Sequence, residues 1–266
     1  MADRMKIMWN EATAGAPELE SLWNLLRNYF PRVASASTEV EMRHLAVSGG
    51  YIRSLYTGLL NHRSVVENCI AAEQDGFDAV VIGCWCDPLW EARGAVDIPV
   101  VGIGEAGMLL AHTLGYKYAV ITVAPGAAPP IEMDVRLYGL EDRAIVRPVR
   151  WIDIPADREL LLESVADPER RLIPSFERVA RQCIEDGAEV IVAGCGYYGP
   201  IFTTHGYNKV SGTDVPVLDA AAAGLKLAET LASLRESIGL KMSRARFFRG
   251  APPEVLDEVR RVHGLT

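Results

Sequence analysis

The feature that most constrains this chain is a duplication within its own sequence. Residues 75–84, DGFDAVVIGC, align without gaps on residues 186–195, DGAEVIVAGC, and both copies end in Gly-Cys. Farther along, AGMLLAHTL at 106–114 matches AGLKLAETL at 223–231. The two copies begin at residues 75 and 186, and a repeat of that length is too long for a solenoid of stacked repeats. The duplication therefore predicts two similar lobes that face each other about a pseudo-twofold axis.

Short runs rich in β-branched residues alternate with amphipathic stretches along the chain, a pattern typical of parallel α/β folds. The predicted strands cover residues 6–10, 38–47, 78–83, 98–102, 118–123, 144–151, 189–194 and 215–218. Eight strands and two lobes predict an α/β fold in which each lobe is a mostly parallel four-stranded sheet flanked by helices. The active site is then expected in the cleft between the lobes.

Charge and cysteine content narrow the possible partners. A net charge of −8 and a pI near 5.2 argue against a nucleic-acid or anionic membrane surface, because both require a concentrated basic face. No stretch of the sequence approaches the roughly 18 apolar residues of a membrane span. Five cysteines, an odd number, are interpreted as free thiols in a reducing compartment. We therefore expect a cytoplasmic protein that acts on a small molecule.

Two of the cysteines carry the functional hypothesis. Ligands of parallel α/β sheets bind beyond the carboxyl ends of the strands, and Cys84 and Cys195 each follow a predicted strand at equivalent points of the two copies. A pseudo-twofold axis would place one thiol on either side of a shared cleft. Such a pair can remove a proton from one face of a molecule and return one to the other face. Cys69 and Cys183, on apolar helix faces, are interpreted as core residues.

Metal and nucleotide sites are not predicted. Cys84 and Cys86 have no partner Cys-x-x-Cys or His-x-x-His elsewhere in the sequence that would complete a zinc site. Gly102, Gly104 and Gly107 form a literal G-x-G-x-x-G. Dinucleotide binding also requires an acidic residue at the end of the next strand, and the next predicted strand lacks one. We interpret these glycines as close packing between a strand and a helix, and we expect neither a cofactor nor a metal.

The residues after the first cysteine predict a helix that begins beside it. In Asp87-Pro88, aspartate is a favoured N-cap and proline is favoured at the first helical position. The free N–H groups of such a helix would lower the pKa of the Cys84 thiol and hold a substrate oxygen.

The chain resembles the aspartate/glutamate/hydantoin racemase superfamily, and within it the hydantoin and allantoin racemase branch, over about residues 5–252. The resemblance rests on VIGCWCDP at 81–88, where the family has a Gly/Ala-Cys-Phe-x-Asp-Pro type of motif, and on EDGAE at 185–189 leading to Gly194-Cys195. It also rests on VPVLD at 215–219 followed by GLKLAE at 224–229, and on the stretch from ITV at 121–123 to YGL at 138–140.

The resemblance implies a cofactor-independent racemase with Cys84 and Cys195 as general base and general acid. It also implies that the second lobe, residues 105–219, is inserted into a first lobe made of residues 1–104 and 220–266. Asn10 and Thr122, at the end of the first strand of each lobe, match positions that face the ligand. The other residues expected at the substrate are neighbours of the two cysteines: Trp85, Cys86, Gly196 and Tyr197.

The sequence departs from the family pattern near the predicted cleft. The usual Asn-Pro-Asn after the first strand is replaced by WNEAT at 9–13, Cys86 stands two residues after the first cysteine, and Cys195 is followed by GYYGP at 196–200 rather than by a small Ala-Gly-Met-like turn. The expected reaction is racemisation or epimerisation at a carbon next to a carbonyl, as at C5 of a 5-substituted hydantoin or a related cyclic ureide.

Two alternatives stay open. An enzyme of the same fold would use the cysteines for decarboxylation, or for nucleophilic desulfuration or hydrolysis of a cyclic compound. A protein of a different class would bind a small molecule without catalysis.

At the carboxyl end of the chain, residues 253–262 predict an amphipathic helix. We expect it to pack on its own lobe, and a contact between copies of a homo-oligomer is the alternative.

Overall fold

The computed structural model describes residues 4–13, 17–48, 54–85 and 88–265. Within these ranges eight strands form two sheets of four, and all paired strands run parallel. The strands are β1 Met5–Glu11, β2 Thr38–His44, β3 Ala79–Ile82, β4 Val100–Gly102, β5 Tyr118–Thr122, β6 Ala144–Trp151, β7 Val190–Ala193 and β8 Val217–Leu218. All eight predicted strands are found, and the predicted α/β fold with two parallel sheets is confirmed.

Helices flank both sheets. They are α1 Glu20–Val33, α2 Leu55–Gln74, α3 Leu89–Ala95, α4 Ile103–Leu114, α5 Ala128–Leu137, α6 Arg158–Ala166, α7 Leu172–Glu185, α8 Tyr198–Thr204, α9 Ala220–Ile238 and α10 Pro253–Val262. Local sequence explains their ends: Ser54 caps α2 with a hydroxyl that accepts the N–H of Thr57, and Asp219 caps α9. Gly239 ends α9 in the left-handed conformation, at φ 71°, which favours glycine.

The two sheets repeat one topology. Their strand orders are β2-β1-β3-β4 and β6-β5-β7-β8, so each strand of the first sheet has its counterpart four strands later. The hydrogen bonds repeat as well: the Gly83 N–H donates to the Asn10 carbonyl at 3.0 Å, and the Gly194 N–H donates to the Ile121 carbonyl at 2.8 Å. The duplication in the sequence is therefore a duplication of backbone structure.

Two helices cross from one sheet to the other. Although α4 follows β4 of the first sheet, it packs on β7 of the second, and α9, which follows β8 of the second sheet, packs on β3 and β4 of the first. The two helices also pack extensively against each other. These contacts support the predicted division into residues 1–104 with 220–266 and residues 105–219, which stays a prediction.

Glycines set the approach of α4 and α9. A Cβ atom added at Gly107 would lie 3.0 Å from the Cβ of Ala220, and one added at Gly224 would lie 3.0 Å from Cγ2 of Ile103. Gly224 is the repeat counterpart of Gly107, and Ala220 is the counterpart of Ile103. The contacts are thus reciprocal, as a pseudo-twofold axis between the helices requires. They also confirm the interpretation of Gly107 as a packing residue.

The carboxyl-terminal helix α10 lies against α2 of the first lobe through polar contacts. Arg260 forms an ion pair with Glu67 at 2.8 Å, and Arg63 donates to the carbonyl of His263. This helix docks on its lobe without burying its apolar side. The apolar residues that remain largely exposed are Val255, Leu256, Val259 and Val262. The predicted homo-oligomer stays a prediction. Within the described ranges, the helices are all too short or too polar to cross a bilayer.

Candidate active site

The cysteines separate into two kinds. Cys84 follows β3 and Cys195 follows β7, and both are partly exposed, whereas Cys69 and Cys183 are fully buried in helices. Burial raises the pKa of the Cys183 thiol to about 11. The interpretation of Cys69 and Cys183 as core residues is confirmed. Of the four cysteines that the structure describes, the two at strand ends are the ones that solvent and a ligand can reach.

The two strand-end cysteines lie on turns that touch across the lobes. We name residues 83–85 the first cysteine turn and residues 194–198 the second cysteine turn. A Cβ atom at Gly196 would lie only 2.2 Å from the carbonyl oxygen of Gly83, so the backbones are in direct contact there. Cys84 and Cys195 are each one residue away from this contact. The structure therefore brings the two candidate thiols to one seam between the lobes.

The strand register shows which residues of the two sheets correspond. Because Gly83 bonds to Asn10 as Gly194 bonds to Ile121, Asn10 is the counterpart of Ile121, and Glu11 is the counterpart of Thr122. Asn10 and Thr122, both predicted at the end of the first strand of a lobe, are therefore one register position apart.

The side chain of Asn10 faces away from the other candidates. Its amide nitrogen donates to the carbonyl of Val65 at 2.9 Å, and its amide oxygen accepts from Asn68 at 3.0 Å, both on α2. The residue is 1% exposed. On the second sheet, the hydroxyl of Thr122 donates to the carbonyl of Gly194 at 2.9 Å, next to Cys195. Thr122 thus bonds to the residue before Cys195, whereas Asn10 joins β1 to α2; contact of either with a substrate stays a prediction.

Glu11 is a candidate site residue that the sequence did not single out. Its Oε1 accepts hydrogen bonds from the hydroxyls of Tyr197, at 3.0 Å, and Thr13, at 3.3 Å, and its Oε2 accepts from the indole of Trp9 at 3.3 Å. The residue is 5% exposed, and burial raises the pKa of its carboxyl, partly offset by these hydrogen bonds. Among the described residues, no cation forms an ion pair with Glu11.

Tyr197 reaches from the second cysteine turn to the first lobe. Burial and then the neighbouring Glu11 carboxyl raise the pKa of its phenol well above the ordinary value. The phenol is therefore a neutral hydrogen-bond donor at physiological pH. Of the residues predicted near the substrate, Gly196 and Tyr197 are thus brought to the seam, together with Cys84, Cys195 and Thr122.

The remaining predictions concern the first cysteine turn. Trp85 is 6% exposed, and its ring would lie 2.9 Å from a Cβ atom at Gly104, so it packs between the turn and α4. A contact of Trp85 with substrate stays a prediction. Cys86 and Asp87 lie outside the described residues. Helix α3 begins at Leu89 with Pro88 as its N-cap, one residue later than predicted.

Clusters that resemble metal centres are not found in the described part of the chain: no three of its His, Cys, Asp and Glu residues are grouped so that they could hold an ion. The chemistry available at the seam is that of two thiols, a carboxyl, a phenol and backbone amides.

Comparisons with known proteins give a consistent result. The family model described as Asp/Glu/Hydantoin racemase matches residues 20–228. A hydantoin racemase from Pseudomonas sp. (strain NS671) is 34% identical over 202 residues, which are 74% of each chain, and one from Rhizobium meliloti is 41% identical over 162 residues, which are 60% of this chain and 62% of the relative. The crystal structure of an allantoin racemase from Pseudomonas fluorescens superposes with a TM-score of 0.74 at 28% identity, and the match covers 94% of this chain and 98% of that one.

Proposed function

This chain belongs to the Asp/Glu/hydantoin racemase family and is a racemase, and we propose that it uses Cys84 and Cys195 as an acid/base pair without a cofactor. The proposed substrate is a 5-substituted hydantoin or a related cyclic ureide, with reaction at the carbon next to a carbonyl. The observation that supports the proposal is the contact of Gly196 with Gly83, because these glycines are the chain neighbours of Cys195 and Cys84, two partly exposed residues on opposite lobes.

In the proposed reaction, the thiolate of one cysteine removes the proton from C5 of the ring. The electron pair of the broken C–H bond moves into an enolate, whose charge rests on the neighbouring carbonyl oxygen. The thiol of the other cysteine then donates its proton to the opposite face of C5, which inverts the centre. After this turnover the two cysteines have exchanged protonation states, so the enzyme is ready for the reverse direction.

Backbone N–H groups of the two cysteine turns are the proposed donors to the enolate oxygen. Donors fixed in advance at a developing negative charge contribute roughly 3 to 4 kcal/mol each in comparable sites. General acid–base catalysis by a placed pair contributes a further factor of about 10² to 10⁴.

The substrate class is supported by the relatives. Two of the similar proteins are named hydantoin racemases and one similar structure is an allantoin racemase. Hydantoins and allantoin share a five-membered ureide ring, whose C5–H is acidified by the adjacent carbonyl. A ring of this kind is small and flat, so both of its faces can meet a thiol at once.

The test is isotope exchange with single enantiomers in D₂O. The wild-type protein is expected to racemise a 5-substituted hydantoin and to place deuterium at C5. Cys84→Ser and Cys195→Ser are each expected to lose racemisation, and each is expected to retain exchange at C5 of one enantiomer, the opposite one in the two variants. Cys69→Ala, which alters a buried thiol, is the matched control and should racemise normally.

Two results would contradict the proposal. Racemisation that survives both serine substitutions would exclude the thiol pair. A covalent adduct of substrate with Cys84 or Cys195, detected by mass spectrometry of the intact protein, would instead support the nucleophilic alternative.

A further inference from the structure

Two departures from the family pattern meet in space. Glu11 lies in the segment that replaces the family's Asn-Pro-Asn, and Tyr197 lies in the segment that replaces its small turn after the second cysteine. They are 186 residues apart in the chain, and the Tyr197 hydroxyl donates to Oε1 of Glu11 at 3.0 Å. Each departure supplies one partner of a single hydrogen bond between the lobes.

This hydrogen bond acts on the turn that carries Cys195. Tyr197 follows Cys195 by two residues, and its carbonyl accepts the N–H of Ile201 in α8 at 3.0 Å. Within the turn, the N–H of Tyr198 donates to the carbonyl of Cys195 at 3.1 Å. The turn is therefore held together by its own hydrogen bonds. A displacement of the Tyr197 side chain is expected to displace the backbone of Cys195 as well.

The second cysteine turn is held to the first lobe at two adjacent points. Gly196 contacts the backbone of Gly83, and Tyr197 reaches the carboxyl of Glu11. The carboxyl also accepts hydrogen bonds from Trp9 and Thr13, which restrict its orientation.

The other lobe has a different arrangement. The repeat counterpart of Glu11 is Thr122, and its hydroxyl bonds within its own sheet, to the carbonyl of Gly194. By sequence, the repeat counterpart of Tyr197 is Cys86, a residue that carries no hydroxyl. The Glu11–Tyr197 hydrogen bond therefore breaks the symmetry of the two lobes.

We propose that Glu11 is a positioning residue that, through the hydroxyl of Tyr197, sets the place of the Cys195 thiol relative to the substrate. The proton transfers of Cys195 then depend on this hydrogen bond more than those of Cys84 do. The inference rests on the proposed function only for its kinetic consequence, because the position of Cys195 can be measured without any substrate.

The first experiment measures alkylation of each cysteine by iodoacetamide, resolved by peptide mass spectrometry, in the intact protein. In Tyr197→Phe and in Glu11→Ala, the second cysteine turn loses its hydrogen bond to Glu11, and alkylation of Cys195 is expected to rise about threefold or more. Alkylation of Cys84 is expected to stay within about twofold. Glu11→Gln keeps an oxygen that accepts the hydrogen bond from Tyr197, so Cys195 in this variant should be alkylated at the wild-type rate.

Tyr207→Phe is the matched control. Tyr207 also donates to a glutamate, Glu177, at 3.3 Å, but both residues lie in the second lobe, so this hydrogen bond does not join the two lobes. This variant should leave alkylation at both cysteines unchanged. Thermal unfolding of every variant shows whether a change is local or reflects loss of the fold.

The second experiment measures racemisation and enantiomer-specific exchange at C5. In Tyr197→Phe, kcat is expected to fall about tenfold with little change in KM, since a hydrogen bond to a charged or buried group is lost from the chemical step. Exchange that survives in Cys84→Ser, and so depends on Cys195, should fall by a similar factor when Tyr197→Phe is added. Exchange that survives in Cys195→Ser should change little.

The outcomes separate the two proposals. If the alkylation rates of Cys84 and Cys195 change equally, or if that of Cys195 does not change, the positioning role is overturned even if the protein racemises hydantoins. A change in alkylation confined to Cys195 in a protein that racemises no hydantoin would support the positioning role and overturn the proposed function.

Discussion

Gly196 contacts Gly83 across the two lobes so closely that residue 196 has no room for a side chain: a Cβ atom there would lie 2.2 Å from the Gly83 carbonyl oxygen. Each glycine is the immediate neighbour of a candidate catalytic cysteine. The separation of the two cysteine turns is therefore set by backbone atoms, which are the least able to adjust.

Gly196→Ala is expected to abolish most activity. The added methyl group must push the cysteine turns apart, and a displacement of about 1 Å at a reacting group lowers kcat on the order of 100-fold. Overpacking of this kind also costs about 1 to 3 kcal/mol of stability. Racemisation rates and urea unfolding measure the two effects. Gly126→Ala, at an exposed glycine with no atom within 4 Å of the added Cβ, is the control; wild-type activity in Gly196→Ala would contradict the contact.

Gly107→Ala and Gly224→Ala are expected to destabilise the protein to a similar extent. Each new Cβ atom would lie 3.0 Å from a side chain of the partner helix, which separates α4 from α9 at a cost of about 1 to 2 kcal/mol after the gain in helix propensity. One separation accommodates both methyl groups, so the double variant should lose less than the sum. Urea unfolding gives these free energies. Gly94→Ala, a helical glycine with open space, should instead be neutral or stabilising.

Thiol labelling should distinguish the cysteines by position. At neutral pH, Cys84 and Cys195 are expected to react with a maleimide, whereas Cys69 and Cys183 should react only after unfolding. The reason is that Cys69 and Cys183 are fully buried and that the Cys183 thiol, with its pKa raised to about 11, is almost entirely protonated. Peptide mass spectrometry before and after denaturation gives the rates. Rapid native labelling of Cys183 would show that α7 is not packed as described.

Glu11→Gln is expected to change how stability depends on pH. Burial raises the folded-state pKa of Glu11 above its ordinary value of 4.5, so the folded protein binds more protons than the unfolded chain between these two values. The free energy of unfolding should therefore fall as pH rises through this window, by up to about 1.4 kcal/mol per pH unit. Glutamine does not titrate, and the variant should lack this part of the decline.

Urea unfolding of both proteins from pH 4 to pH 8 measures the difference. Asp219 has a pKa raised by burial in the same direction, and it contributes equally to both proteins, so it cancels in the comparison. Parallel curves for the wild type and Glu11→Gln would contradict a buried, titrating carboxyl at residue 11.

The sequence alone was sufficient to predict the fold, the strand-end positions of Cys84 and Cys195, and the burial of Cys69 and Cys183. The repeat ending in Gly83-Cys84 and Gly194-Cys195 predicted two equivalent strand ends, because backbone conformation follows local sequence pattern. The burial of Cys69 and Cys183 followed from helical spacing, which identifies the face of a helix that meets the core. The packing role of Gly107 followed from the missing acidic residue that a dinucleotide site would need.

The tertiary structure decided which side chains meet at the seam. Neighbouring residues of a strand point to opposite faces, so Asn10, which the sequence predicts at the substrate, bonds to α2, whereas Glu11, one residue later, bonds to Tyr197. A repeat that aligned strand ends to within one residue could not resolve this difference. The contacts of Gly196 with Gly83 and of Tyr197 with Glu11 join segments more than 100 residues apart. Such contacts depend on how two separately patterned lobes face each other, and only their packing in three dimensions determines that.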